Sequence, residues 1–336
     1  MTEILIIRPQ SIQLGDTICS LPMFKALKNK YPDSSITFIG CPTNYNVNLK
    51  KLNSYIDNFM IFRKGNLKYL FNFFRELRKK KYDVVVVPST IRISSTSYLI
   101  ALLSRGRIKA GIKRIDEKKN KLNFVLDIRE EVDWKKSKTN QVFRFLDTVK
   151  GLGCNLSLDE IKEMRIVLSD DEIDFGDKYI AGNFPDSKKL IFGFHPGGGK
   201  KKNLWGTLKY FELIKKVSEK YKPYILITSG FLDEEITNTL ESMLKSSDIS
   251  FTSIRNLETY KFASVLRHIS LYVSNDTGVM HLAAYSGTNT LSVFRKGESA
   301  EWLPLFNNSK CVESKSDNID DISPDEVFKK IEEFYP

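Results

Sequence analysis

Short apolar runs alternate with longer amphipathic segments along most of the chain. The first run, at 4–8, is almost wholly apolar, as in a strand buried in the middle of a parallel sheet. A segment with helical spacing follows at 17–30, with Leu21, Phe24 and Leu27 on one face. The same patterns predict strands at 35–39, 58–62, 82–87, 107–112, 164–168, 190–195, 223–228, 250–254, 271–273 and 290–294, and helices at 67–80, 94–103, 139–152, 170–181, 207–221, 233–244, 258–267, 279–285 and 325–334. This alternation predicts an α/β fold with parallel sheets covered by helices on both faces.

The length of 336 residues is enough for two domains of ordinary size. We predict a first Rossmann-like domain over 1–168, a linker helix and hinge over 169–189, and a second Rossmann-like domain over 190–320. The segment 321–336 is predicted to end the chain as a helix, and it is a candidate to pack back on the first domain. No apolar run approaches the length of a membrane span, and the first ten residues predict a strand rather than a signal peptide.

The segment 271–294 combines a strand, a polar turn, a helix and a second strand. The turn lies between a strand end and a helix start, where open α/β sheets bind ligands and where unpaired N–H groups suit a phosphate. Thr277 and the Gly278 N–H are candidate phosphate donors. Asp276 is a candidate to accept hydrogen bonds from sugar hydroxyls or to order the turn, and His281 is a candidate to reach the same site. The alternatives are a helix cap at Asp276 or Thr277 and a structural role for His281.

A second segment, IFGFHPGGGKKKNLW at 191–205, is a strand that ends in glycines followed by lysines. Glycines let the backbone approach a ligand closely, and N–H groups with ammonium charges make an anion cradle. The candidate contacts to a ligand are His195, Gly197, Gly198, Gly199, Lys201 and Lys202. The segment is not a P-loop, because the glycine spacing differs and no Ser or Thr follows the lysine. The alternative is a glycine-rich turn beside solvated lysines.

The net charge of +11 is unevenly distributed. Residues 1–150 contain 29 lysines and arginines against 13 acidic residues, a net charge of +16, whereas the remaining residues contain 23 basic and 28 acidic residues, a net charge of −5. A half so basic favours an anionic partner: nucleic acid, an anionic membrane surface or a phosphorylated glycolipid. The basic segment 113–121 is predicted to be an irregular loop and a candidate acceptor-side or membrane-facing element. A solvated surface is the alternative.

The four cysteines are scattered along the chain, with no C-x-x-C pair. They are Cys19, Cys41, Cys154 and Cys311. This spacing predicts thiols in a reducing cytoplasm and no structural zinc.

Together with Gly15-Asp16, the two turn segments resemble glycosyltransferase family 9, the family of the lipopolysaccharide heptosyltransferases. The matching words are LGDTICSLPMFKALKNKYPDSSITFIG at 14–40, FHPGGG at 194–199 with Trp205, and SNDTGVMHLAAYSGT at 274–288. The resemblance covers most of the chain and is weakest from about residue 45 to 140. It implies the GT-B architecture, in which two Rossmann-like α/β domains with parallel sheets face a cleft.

The resemblance also implies an inverting, metal-independent transfer of a sugar from a nucleotide-diphosphate donor such as ADP-heptose to a lipopolysaccharide core or related glycan. Heptose is the leading candidate for the sugar, and no cofactor is expected. Asp16 matches the family's catalytic Asp and would be the general base; the alternative is that Asp16 only caps the following helix. A carboxylate near the Gly230 loop often holds the ribose, which makes Asp233 and Glu234 candidates. No D-x-D sequence occurs, so we expect no metal, and lysines and helix dipoles would take its place.

Three features depart from the family pattern. The loop from Arg8 to Asp16 is about two residues longer than is common. Asn203 stands where the family often has Lys, with Lys202 beside it as a candidate substitute. Arg295 stands where a glycine often follows the last strand. These departures leave open a degenerate member that binds sugars without catalysis.

Two further alternatives remain. A sugar-nucleotide epimerase or hydrolase of the same fold would turn over the donor without an acceptor. A basic-surface binding protein, for example a nucleic-acid binder, would use the first half, but no recognised nucleic-acid motif occurs and the glycine and aspartate turns would be unexplained. We therefore expect no nucleic-acid partner. We expect a cytoplasmic enzyme whose basic half contacts the cytoplasmic face of the inner membrane.

Overall fold

The computed structural model of the chain describes residues 1–10, 13–42 and 53–336. Two compact units divide the chain, at 1–161 and 162–336. Each unit is built on one sheet with helices on its faces, and the sheets are parallel except for one short strand. The predicted α/β class with parallel sheets is therefore confirmed.

The first unit is built on a sheet with the strand order β3-β2-β1-β4-β5-β6, and β7 pairs with β5. Its strands are β1 (Thr2–Ile7), β2 (Ser34–Gly40), β3 (Asn58–Ile61), β4 (Tyr82–Val87), β5 (Gly106–Ile115), β6 (Lys118–Lys119) and β7 (Ile128–Val132). Its helices are α1 (Leu14–Lys30), α2 (Leu67–Leu77), α3 (Ser95–Leu103), α4 (Trp134–Ser137), α5 (Gln141–Asp147) and α6 (Leu158–Lys162), the last at the boundary between the units. Because β1 pairs with β2 on one side and β4 on the other, its apolar residues are fully buried.

The second unit is built on a six-stranded sheet that is parallel throughout. Its strands are β8 (Ile191–His195), β9 (Tyr224–Ser229), β10 (Thr252–Arg255), β11 (Leu271–Asn275), β12 (Thr290–Phe294) and β13 (Ser309–Glu313). Its helices are α7 (Asp170–Asn183), α8 (Thr207–Tyr221), α9 (Glu234–Ser246), α10 (Thr259–Leu266), α11 (Gly278–Tyr285), α12 (Ser299–Trp302) and α13 (Pro324–Glu332). The order β10-β9-β8-β11-β12-β13 is that of the doubly wound Rossmann fold, with its switch point between β8 and β11.

The segment that joins the predicted domains belongs to the second unit. No strand forms at 164–168, so that prediction is wrong; instead the Ile166 N–H donates to the Tyr285 carbonyl at the end of α11 (3.0 Å). Helix α7, predicted as a linker, packs on α10, and a Cβ at Gly176 would lie 2.6 Å from the Ser264 carbonyl oxygen. The lack of a side chain at Gly176 is what allows this close packing.

The C-terminal helix α13 is amphipathic, and its apolar face is used within the second unit. Val327 and Ile331 are buried in the core of that unit. At its ends, Asp325 pairs with Lys216 and Glu332 with Lys220, both at 2.8 Å. The expected packing of this helix on the first domain stays a prediction.

The basic segment 113–121 is ordered rather than irregular. Strand β5 continues through it to Ile115 and turns back as β6 in an antiparallel hairpin. The Arg114 guanidinium pairs with Asp133 at 2.8 Å and with Glu131 at 3.2 Å. The expectation of an irregular loop is therefore wrong, because β5 is longer than its apolar run.

Candidate functional site

The first candidate site lies after β1, where the strand order of the first unit reverses. Helix α1 begins at Leu14 and its N-cap residue is Gln13, so Asp16 lies in the first turn of the helix. The alternative that Asp16 caps this helix is therefore wrong. The expected extra length of the preceding loop falls partly on residues 11–12, which lie outside the described residues.

The Asp16 carboxylate is held through one of its oxygens. Oδ1 lies 3.5 Å from Arg8 Nη2 and accepts a hydrogen bond from Gln141 Nε2 at 3.0 Å. The same Gln141 amide donates to Thr90 Oγ1 at 2.9 Å. The Asp16 side chain is 13% exposed, and within the described residues its other oxygen, Oδ2, has no hydrogen-bond partner. The result is a carboxylate of fixed position with one oxygen that no described residue engages.

Arg8 is the buried partner of this carboxylate. Its guanidinium lies over the Phe145 ring at 4.7 Å from the centroid. Burial lowers the pKa of Arg8, and the charge of Asp16 opposes that change. Pairing offsets part of the cost of burying each charge. Sequence patterns did not indicate Arg8, Thr90 or Gln141 as functional, since their link to Asp16 is made only by the tertiary fold.

A cleft of about 470 Å³ opens at the same edge of the first sheet. Gln10, Cys41 and Pro42 follow β1 and β2, and three cations, Arg63, Lys64 and Arg92, line the cleft. An opening of this size with several cations suits an anionic group.

The second candidate site lies at the switch point between β8 and β11, and Asn275 holds it together. This side chain is fully buried. Its Nδ2 donates to the carbonyl oxygens of Pro196 and Gly197, both at 2.9 Å. Its Oδ1 accepts from the Trp205 N–H at 3.1 Å and from the Tyr210 hydroxyl at 3.2 Å. Asn275, assigned from the sequence only to a polar turn, is thus the last strand residue and fixes the glycine turn.

Asp233 holds the same turn from the side of β9. It is buried, and its carboxylate accepts from the N–H groups of Gly198 at 2.9 Å and Gly230 at 3.1 Å. A Cβ at Gly197 would lie 2.1 Å from Asp233 Cγ, so this position requires glycine. Each carboxylate oxygen of Asp233 thus accepts a hydrogen bond from the backbone, one from the glycine turn and one from the loop after β9. Of the two ribose candidates, Glu234 is the one exposed to solvent.

The two predicted histidines are both buried in the second unit. His195 Nδ1 lies 3.0 Å from the Thr228 carbonyl oxygen, and burial lowers the pKa of this imidazole despite the nearby Asp233. His281 packs edge-on to Trp302, with 6.4 Å between ring centroids, and burial lowers its pKa to about 4. At neutral pH His281 therefore brings no positive charge to an anion; its contact with a donor stays a prediction.

The start of α11 is the part of the site best suited to an anion. Thr277 precedes this helix but makes no side-chain cap bond, and its buried Oγ1 has no hydrogen-bond partner in the described part of the chain. A Cβ at Gly198 would lie 3.0 Å from Thr277 Cγ2, so the glycine turn lies against Thr277. Around Gly199 there is open space. A hydroxyl, the Gly278 N–H and open glycine backbone therefore occur together.

The Asp276 carboxylate lies beside this anion-suited turn. Its Oδ2 accepts a hydrogen bond from Asn203 Nδ2 at 2.8 Å. Burial and the neighbouring Glu298 raise the pKa of Asp276 to about 6, although Lys200, Asn203 and Lys202 act in the opposite direction. Asp276 therefore titrates close to neutral pH.

Neither a cluster of metal-binding side chains nor a membrane-spanning helix occurs within the described residues. No group of three or more His, Cys, Asp and Glu side chains in that part of the chain could hold a metal ion. None of its helices has both the length and the apolar composition needed to cross a bilayer. The four cysteines, all within the described ranges, form no disulfide.

Two doubly wound units, the second with a helix start and a glycine turn at its switch point, define an α/β protein of the Rossmann-like class. The sequence profile of glycosyltransferase family 9 (heptosyltransferase) matches residues 70–332, and the chain belongs to that family. The matched range includes the second site and begins after Asp16.

Known proteins agree with this assignment. Over 126 residues the chain is 25% identical to lipooligosaccharide heptosyltransferase 2 of Campylobacter jejuni, a match that covers 37% of this chain and 40% of that protein. A family 9 glycosyl transferase of Veillonella parvula has a TM-score of 0.77 and 13% identity, covering 99% of this chain and 97% of the other. The ADP-heptose lipopolysaccharide heptosyltransferase II of E. coli has a TM-score of 0.74 and 16% identity, covering 99% and 98%. The two solved structures show a shared fold.

Proposed function

We propose that the protein is an inverting, metal-independent glycosyltransferase. It moves a sugar, with heptose as the leading candidate, from a nucleotide-diphosphate donor such as ADP-heptose to a lipopolysaccharide core or related glycan. Membership of family 9 supports the class of reaction. The observation that carries the proposal is the Asp16 carboxylate, with one oxygen held by Arg8 and Gln141 and the other available to a substrate.

Asp16 acts as the general base in this reaction. Its Oδ2 accepts the proton of the acceptor hydroxyl. At the same time the oxygen of that hydroxyl forms a bond to the anomeric carbon of the donor sugar. The bond from the anomeric carbon to the diphosphate breaks, and the diphosphate leaves with the electron pair. Because attack and departure take place on opposite sides of that carbon, the configuration inverts. Arg8 and Gln141 keep the carboxylate in position throughout.

The departing diphosphate gains negative charge, which the second site is suited to stabilise. Thr277 and the Gly278 N–H donate hydrogen bonds to it, and the start of α11 adds roughly half a positive charge. The ammonium group of a lysine after the glycine turn adds a full positive charge. Asp276 accepts hydrogen bonds from hydroxyls of the donor sugar. These groups take the role that a metal ion has in other sugar-nucleotide enzymes.

The acceptor side of the proposal concerns the first unit. The cations Arg63, Lys64 and Arg92 line the cleft there and suit an anionic glycolipid. The net charge of +16 over 1–150 supports contact with the cytoplasmic face of the inner membrane, where such an acceptor is found. The activities named for the Campylobacter and E. coli relatives make ADP-heptose the first donor to test.

The test begins with donor binding. The unfolding midpoint of the protein is measured with ADP, UDP, GDP and CDP, each with and without EDTA. We expect one nucleotide to raise the midpoint, since a ligand of the folded state stabilises it, and we expect no effect of EDTA on that rise. A rise that EDTA abolishes would contradict metal independence. A folded protein that binds none of the nucleotides would overturn the transferase and favour a basic-surface binder.

Catalysis is then measured with ADP-heptose and a heptose-deficient lipopolysaccharide, for the wild type and Asp16→Asn. We expect transfer by the wild type and its loss in the variant. Consumption of the donor without an acceptor would favour the epimerase or hydrolase. Donor binding without any turnover would favour a degenerate family member.

A further inference from the structure

The three consecutive lysines of the second site are not equivalent. Lys202 Nζ lies 3.5 Å from Glu298 Oε1, and the same oxygen lies 3.2 Å from Arg295 Nη1. Lys202 is thus drawn towards an acidic side chain of the loop after β12. Lys200 and Lys201 are exposed, and neither ammonium has an ion pair or hydrogen bond with any described residue.

Position 203 provides no cation to the second site, because it is an asparagine. Asn203 is 3% exposed, and its amide donates to Asp276 rather than pointing to solvent. Its Oδ1 is buried and has no hydrogen-bond partner in the part of the chain that the structure describes. A neutral side chain therefore fixes Asp276, and the positive charge for a diphosphate must come from another residue.

Lys200 has the position that this role requires. It precedes the short 3₁₀ turn Lys201–Asn203, and its carbonyl accepts the Asn203 N–H at 2.9 Å. Gly198, two residues earlier, lies against Thr277, and the backbone of Gly199 between them borders open space. Among the cations that lower the pKa of Asp276, Lys200 has the largest effect, ahead of Lys202.

We infer that Lys200 is the lysine that binds the donor diphosphate, while Glu298 withholds Lys202 and Asn203 positions Asp276. The inference rests on the proposed function, because it names the cation of that donor site. An ammonium forms charge-assisted hydrogen bonds with phosphate oxygens. Lys200 follows the glycine turn that lies against Thr277, and it has no ion pair with a described residue to break before it contacts these phosphates. Lys202 would first have to leave Glu298.

The test compares three adjacent substitutions, Lys200→Gln, Lys201→Gln and Lys202→Gln, which remove one charge each from the same turn. Calorimetric titration with ADP, or with the nucleoside diphosphate that binds the wild type, gives Kd for each. We expect Lys200→Gln to weaken binding about 10- to 100-fold and the other two variants by less than about threefold. Unfolding midpoints close to that of the wild type show that all three fold.

Adenosine serves as the matched probe, because it lacks the phosphates. Lys200→Gln should leave adenosine binding unchanged, whereas a variant with a distorted site would lose both ligands. In the double variant Lys200→Gln/Glu298→Gln, released Lys202 should restore part of the ADP affinity; the absence of any gain would contradict the role of Glu298.

Failure of the inference and failure of the proposed function give different results. If Lys200→Gln binds ADP like the wild type and Lys202→Gln does not, the inference is overturned and the donor site stands. If the folded wild type binds no nucleoside diphosphate, both are overturned.

Discussion

The turns after β1 and β8 occupy equivalent places in their units, since each follows the strand at which the strand order reverses. They are nevertheless built differently. After β1, side chains hold one side chain: Arg8 and Gln141 fix Asp16, which remains partly exposed. After β8, buried side chains hold the main chain. Asn275 donates to two of its carbonyl groups, and Asp233 accepts from one of its N–H groups.

The difference separates two kinds of chemistry. A side chain held by other side chains suits proton transfer, because its reactive oxygen can be fixed and exposed at once. A main-chain turn held from below suits an anion, because its N–H groups and glycines stay accessible. Substitutions after β1 should therefore change turnover more than stability, and substitutions beneath the β8 turn should change stability first.

The largest expected effect is that of Asp16→Asn on turnover. Removing the base should reduce kcat about 10²- to 10⁴-fold. Asparagine keeps the shape of the side chain, but the buried Arg8 loses its charge partner, so the unfolding midpoint should fall as well. Initial rates of heptose transfer measure the effect. The exposed Asp33→Asn is the control. A rate within about threefold of the wild type would show that Asp16 is not the base.

Asn275→Ala should have the largest effect on stability. The substitution leaves two buried carbonyl groups, the Trp205 N–H and the Tyr210 hydroxyl without their partner. We expect a loss of about 2–4 kcal/mol, since each buried polar group without a partner is costly. Denaturant unfolding measures it, with the exposed Asn238→Ala as control. Equal stability of the two variants would contradict the role given to Asn275.

Two glycines of the same turn sharpen the comparison further. A Cβ at Gly197 would fall 2.1 Å from Asp233 Cγ, whereas one at Gly199 meets nothing within 4 Å. Gly197→Ala must displace the Asp233 carboxylate and should cost about 1–3 kcal/mol and weaken ADP binding. Gly199→Ala should change stability by less than about 0.5 kcal/mol. Calorimetric unfolding of both variants measures this; a similar loss in both would locate the constraint elsewhere.

The two turns also differ in how far the sequence predicts them. Short-range signals, glycines after an apolar run and a polar turn before a helix, indicated the β8 and β11 turns and placed Asp16 at a strand-to-helix junction. The partner of Asp16 is Gln141, 125 residues further along the chain. No periodicity encodes such a pair. The burial of Asp233 was missed for the same reason, because it depends on Gly197 and Gly198 of another loop.

The predicted boundaries of strands and helices are wrong where tertiary packing overrides the local sequence pattern. A strand buried on both faces has no alternation to mark its end, so Asn275 was assigned to the turn instead of to β11. The apolar residues at 164–168 resemble a strand, but Ile166 bonds to the end of a helix. Helix α13 was recognised from its spacing, whereas its packing partner depends on the core of the second unit.

The smallest predicted effect concerns Asp276, the carboxylate of the second site that accepts a hydrogen bond from the Asn203 amide. Its folded-state pKa of about 6 lies above the ordinary value of 3.8. Between these values the folded protein holds a proton that the unfolded chain has lost. The stability that Asp276 contributes is therefore full below about pH 4 and is lost as the pH rises through about 6.

Asp276→Asn removes this titration and keeps an oxygen to accept the Asn203 hydrogen bond. The variant should match the wild type at about pH 4 and should unfold at a higher temperature than the wild type at about pH 8, by a few degrees. Midpoints of both proteins across this range test it. The control is the exposed Asn238→Ala, which removes no titratable group and whose difference from the wild type should not vary with pH. A difference for Asp276→Asn that is equally constant would mean that burial does not raise the pKa of Asp276 in the folded protein.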